Sequence, residues 1–82
     1  MPNRLRDLSG DEVVKIFETF GFKLVFAKGS HCKMVKVGES GVRQIIVIPR
    51  HKSISKGTLK SIYNKALSYL SEEQLKPQFY SL

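Results

Sequence analysis

Along this chain the spacing of apolar residues changes twice, from helical to strand-like at Phe22 and back to helical beyond Ser55. Each amphipathic element must bury its apolar side against another, so the order helix, three strands, helix leaves few architectures open. Ser9-Gly10-Asp11-Glu12 has the spacing of a capping box, in which Ser9 accepts from a free backbone N–H and Glu12 reaches back. Val13, Ile16, Phe17 and Phe20 follow on one helical face, and Gly21 supplies a left-handed stop. Phe22, Leu24 and Phe26 then alternate with Lys23 and Val25, the pattern of a strand half exposed to water, which ends at the Lys28-Gly29-Ser30 turn.

His31 to Val37 is β-like but loosely defined in register, since Met34 and Val35 point to opposite faces of any strand. Gly38-Glu39-Ser40-Gly41 suits a hairpin connection. Val42 to Ile48 ends in four β-branched apolar residues, which marks it as the most buried strand, and Pro49 closes it. Ser55 can cap a helix that carries Leu59, Ile62, Tyr63, Ala66, Leu67 and Leu70 on one stripe. Ser71-Glu72-Glu73-Gln74 offers a further cap, but Pro77 stops any helix within about a turn or two, leaving Phe79, Tyr80 and Leu82 either docked or frayed.

The expected fold class is α+β: a three-stranded antiparallel meander covered on one face by two helices and open on the other, the layout of the double-stranded-RNA-binding domain. Such modules read RNA by shape, through phosphates and 2′-hydroxyls. The 82 residues are expected to form a single domain with its core over about 9–70 and terminal extensions at 1–8 and 71–82, because so short a chain has no room for a second core. Fourteen Lys plus Arg against seven Asp plus Glu give a net charge of +7, which favours a polyanionic or acidic partner. No apolar run approaches a membrane span and no helix pairs a basic face with a strongly apolar one, so no membrane partner is expected. Cys32 is the only cysteine, which excludes an internal disulfide, and the first residues lack the apolar stretch of a signal peptide; the cytoplasm is the expected compartment.

The residues with chemistry to offer gather around Gly29-Ser30-His31. A histidine at a tight turn between Lys28 and Lys33 can move protons beside a phosphate. RNA is cut without metal when a base removes the 2′-hydroxyl proton and the oxygen attacks the adjacent phosphorus; Lys28 and Lys33 would stabilise the charge that develops there. The bland alternative for His31 is a solvated turn residue that satisfies a backbone group. His51 is either the general acid for the leaving 5′-oxygen, or a polar residue that ends the strand, or an anchor for the second helix. Arg50, Lys52, Lys56 and Lys60, with Gly57 and Thr58 at a helix start, read as an RNA-backbone dock or as a solvated basic face. His31, Cys32 and His51 are the only soft metal ligands, and adjacent strand residues point oppositely, so no metal site is expected. Cys32 reads as a small buried hydrophobe; Tyr63 and Phe26 are of a type that can stack on bases, but their helical and strand spacing assigns both to the core.

Gly21-Phe22, Lys28-Gly29-Ser30-His31, Pro49-Arg50-His51 and Lys56-Gly57-Thr58-Leu59 with Ile62 resemble, in order and spacing, the HicA toxins, small messenger-RNA-cleaving proteins of toxin–antitoxin pairs. The similarity covers roughly Ser9 to Leu70. It implies a ribosome-independent endoribonuclease with His31 as its catalytic histidine, messenger RNA as substrate, no small-molecule cofactor, and a HicB-type antitoxin that covers the site. Two stretches depart from the family: Cys32-Lys33-Met34 stands where a further histidine or apolar and aromatic residues are more usual, and Ser68 to Leu82 lacks the usual ending. Two rivals keep the same fold and basic face without catalysis: a nucleic-acid-binding module, and an interaction subunit that grips an acidic protein.

Overall fold

The computed structural model describes residues 4–81. Strand β1 is Arg4–Leu5, helix α1 Gly10–Thr19, strands β2, β3 and β4 are Lys23–Lys28, His31–Val37 and Arg43–Pro49, helices α2 and α3 are Lys56–Ala66 and Glu72–Phe79, and β5 is Tyr80–Ser81. The caps are where the side chains anticipate them. Ser9 Oγ accepts from Glu12 N–H at 3.1 Å and Glu12 Oε1 accepts from Ser9 N–H at 2.9 Å. Those bonds hold the Glu12 carboxyl below its ordinary value, the Ser9 backbone N–H contributing most. Ser55 caps α2 through Thr58 N–H, and Ser71 with Gln74 forms a second complete capping box on α3. Pro77 lies inside α3, where its missing N–H leaves the Glu73 carbonyl without that helical bond, and α3 ends two residues later at Phe79.

β2, β3 and β4 form an antiparallel sheet in that order, with β3 central. Directly opposed residues share a face, so Cys32 with Ile48 and Met34 with Ile46 point one way, while His31 with Pro49, Lys33 with Val47 and Val35 with Ile45 point the other. The first face is the core: Met34, Ile46 and Ile48 pack with Val13, Ile16 and Phe17 of α1 and with Leu59, Ile62, Tyr63 and Ala66 of α2. Cys32 is fully buried on the same face. Both helices therefore cover one side of the sheet, and the other stays open, as the apolar stripes imply.

β2 departs from its expected pattern. Every residue of it is exposed, and only Phe22, just before the strand, enters the core. Leu24 and Ala27 are exposed although they lie opposite the core residues Met34 and Cys32, because β2 is an edge strand. Phe26 is reversed by a β-bulge at Val25, where Leu24 opposes Met34 but Phe26 opposes Lys33. An extra residue in one strand reverses the facing of everything beyond it. Without it Phe26 would oppose Cys32 on the core side; with it Ala27 takes that place and Phe26 turns to the open face, 56% exposed. The assignment of Phe26 to the core is thus corrected, whereas Tyr63 is buried as expected.

The core also reaches past the expected 9–70 span. Leu8, Leu75 and Phe79 are buried in the same cluster, and Phe79 lies edge-on to Phe17 at 6.0 Å and to Tyr63 at 5.4 Å between ring centroids. Phe79 is docked, not frayed, while Leu82 lies outside the described residues. The two ends meet in a short ribbon, Arg4 opposite Ser81 and Leu5 opposite Tyr80, extended by Arg6 N–H donating to the Phe79 carbonyl at 2.8 Å. α3 is a third helix beyond the two that the meander needs, and it closes the far side of the α1–α2 layer.

Gly10 joins this core to the sheet. Its N–H donates to the His51 carbonyl at 2.8 Å, and a Cβ there would overlap the Pro49 carbonyl oxygen and lie 2.6 Å from Arg50 Cα. Both obstacles are backbone and cannot rotate away. Gly10→Ala is expected to destabilise the protein by about 1–3 kcal/mol, the usual cost of overpacking, measured as a lower midpoint in urea at unchanged slope.

Candidate nucleic-acid interface

Lys28 and His31 face each other across a two-residue turn, Gly29-Ser30. Gly29 has φ +58°, and among the described residues none other than glycine has positive φ, which is the type II′ pattern that matches the twist of paired strands. Arg50 N–H donates to the Ser30 carbonyl, so the end of β4 holds the turn from the other side. His31 thus begins the central strand, flanked by Lys28 on β2 and Pro49 on β4, with an exposed side chain. Its position is set by two ladders and a turn and needs no contact from its own imidazole.

Lys33 lies two residues along β3 on the same face, half-buried between Phe26 and Val47. The open face around His31 therefore carries the cations Lys28 and Lys33, with Lys23 and Arg43 further along and no carboxylate among the paired residues. Cys32 points into the core, away from His31. Among the described residues, no three His, Cys, Asp or Glu side chains gather as metal ligands would.

His51 follows Pro49 by two residues and is exposed; its carbonyl accepts from Gly10 N–H at the start of α1, not from α2, the helix that the anchoring alternative named. The basic run from Arg50 to Lys60 divides into two groups. Arg50 Nε donates to Asp11 Oδ1 at 3.2 Å, in the connector that also holds Lys52. Lys56 Nζ pairs with Asp7 Oδ1 at 2.7 Å and donates to the Leu5 carbonyl at 2.8 Å, and this contact holds the Asp7 carboxyl below its ordinary value. Lys56, Gly57 and Lys60 line an open groove together with Arg4, Arg6 and Asp7 of the N-terminal arm. Among the described residues Lys28, Lys33, Lys52 and Lys60 form no ion pair.

Sequence reasoning did not anticipate Arg4 and Arg6 beside α2, because their placement depends on β1 pairing with a strand more than seventy residues away. Nor did it anticipate Phe26 on the histidine face. The pairing of Lys28 with His31 across a glycine turn was the signal that could be read.

The comparisons with known proteins agree with this geometry. Residues 10–67 of the 82 match the family of the HicA toxin of bacterial toxin–antitoxin systems, a span that contains α1, the whole three-stranded sheet and α2. No curated protein and no solved structure matches the chain. With most of its length matched, and with the helix–sheet–helix layout that the family resemblance implies, the chain belongs to the HicA toxin family.

Proposed function

We infer that this toxin is a ribosome-independent endoribonuclease that cuts messenger RNA without a metal, with His31 as general base. The observation that carries the reading is the exposed imidazole at the start of the central strand, with Lys28 directly opposite and Lys33 beside it on a face free of paired carboxylates. His31 takes the 2′-hydroxyl proton, the 2′-oxygen attacks the adjacent phosphorus, and the bond to the 5′-oxygen breaks to leave a 2′,3′-cyclic phosphate. Lys28 and Lys33 stabilise the extra negative charge of the phosphorane. His51, in the connector that follows the neighbouring strand, is the candidate to protonate the leaving 5′-oxygen. Lys52 and Lys60 bind the RNA backbone together with Arg50 and Lys56, whose carboxylate partners form exposed pairs that a phosphate can displace.

On this reading the partner is a HicB-type antitoxin that binds over the open face and shields His31. Incubation of the purified toxin with a long RNA in EDTA tests the chemistry. Fragments ending in 2′,3′-cyclic phosphate are expected. Cleavage that needs magnesium and leaves 5′-phosphates would exclude the histidine mechanism, and salt-sensitive RNA binding without any cutting would favour the binding module.

A further inference from the structure

Phe26 is the residue whose position the strand pattern does not explain. The bulge at Val25 turns it out of the core-facing series and onto the face that carries His31, where it is 56% exposed. Exposing a phenyl ring to water forfeits the stabilisation that its burial would give. The same bulge puts the small Ala27 opposite Cys32 and Lys28 opposite His31. One irregularity therefore orients both the aromatic ring and the lysine beside the histidine, and bulges next to active sites commonly re-aim side chains in this way.

The neighbours of Phe26 indicate what it meets. Lys33 stands opposite it, Lys28 is two residues along its own strand, and His31 is its diagonal neighbour on the same face. Diagonal positions of an antiparallel pair lie roughly 7–8 Å apart, within reach of an aromatic side chain. Val47, on the far side of Lys33, is 52% exposed and continues the row as an apolar surface. An aromatic plane flanked by cations matches a nucleotide, which offers a flat base and an anionic phosphate a short distance apart. A protein partner could use the apolar row, but an acidic surface has no need of a ring set diagonally to the histidine.

We propose that Phe26 is a stacking platform for an unpaired nucleobase next to the scissile phosphate, so that this toxin takes single-stranded RNA and positions it by one base. The inference rests on the ribonuclease reading and adds to it a residue and a substrate form. A duplex keeps its bases stacked on one another, so it cannot use Phe26; loops and single-stranded stretches can. The platform tolerates any sequence, because every base has a π-face.

The chain contains no tryptophan, so Phe26→Trp introduces a single fluorescent reporter at the proposed contact. In a His31→Ala background, which prevents cleavage, titration with a short single-stranded RNA is expected to quench this tryptophan. An oligonucleotide of the same length with abasic sites should quench it far less. In the protein with His31 intact, Phe26→Leu is expected to raise KM for single-stranded RNA about tenfold with kcat changed much less, and Phe26→Tyr to restore it. Since Phe26 is exposed, both variants should melt with the unsubstituted protein, and the melt separates binding from folding.

Equal quenching by intact and abasic strands, or equal KM for Phe26→Leu and the unsubstituted protein, would overturn the proposal while leaving His31 chemistry standing. Unchanged KM combined with loss of antitoxin binding would assign Phe26 to the protein interface instead. If the protein with Phe26 and His31 intact does not cut RNA, the ribonuclease reading fails, and the quenching comparison still reports whether a base stacks there.

Discussion

Replacing His31 by alanine is expected to lower the rate of RNA cleavage by about 10²–10⁴-fold, the range that positioned proton transfer contributes. The substitution should act on chemistry alone. The imidazole is exposed, and the backbone of His31 is held by pairing with Lys28 and Pro49 whatever the side chain. Thermal melts of the two proteins should therefore coincide, and the salt dependence of RNA binding should be nearly unchanged, since that slope counts phosphate contacts made by cations. Single-turnover cleavage of a defined RNA, followed by the ends of the fragments, measures the effect. A His31→Ala protein that still cuts at the unsubstituted rate would remove His31 from the mechanism and leave a binding surface on the open sheet.

Phe79→Ala should produce the largest loss of stability, about 3–5 kcal/mol, as is usual for deleting a buried phenyl ring. Phe79 is fully buried and packs edge-on against Phe17 of α1 and Tyr63 of α2, so its removal leaves a cavity where three helices meet. A chain of this size has a total stability of roughly 4–12 kcal/mol. The variant should thus melt at least ten degrees lower, since each kcal/mol moves the midpoint of a domain this small by about 4–8 °C. The ribbon would loosen with it, because Arg6 N–H donates to the Phe79 carbonyl and Tyr80 pairs with Leu5. A melt equal to that of the unsubstituted protein would mean that α3 is an appendage and that the core is complete by Leu70.

Much of the architecture was legible locally. The run from Ile45 to Ile48 is a strand as read, but not the single most buried one: it lies at the sheet edge with β3 central, and only Ile46 and Ile48 enter the core while Val47 is 52% exposed. The capping boxes at Ser9 and Ser71 and the helical stripes of α1 and α2 each depend on neighbours a few residues away, and each stands where its pattern placed it. The catalytic candidate was legible for the same reason. A glycine with positive φ between Lys28 and His31 makes a two-residue turn, and such a turn sets those two residues side by side.

What remained hidden were relations between distant segments. The chain alone shows Arg50 and Lys56 as free cations, but the fold brings Asp11 and Asp7 to them from the N-terminal region. It shows Phe79 after a helix-breaking proline, and only the fold brings Phe17 of α1 and Tyr63 of α2 against its ring and buries it. Phe26 makes the distinction sharpest. By itself the sequence determined that residues 23–28 form a strand, because a period of two and a following glycine turn are properties of that segment. Which way its last half faces was decided by tertiary structure, because a bulge is a mismatch of count between two strands and exists only once β2 has paired with β3.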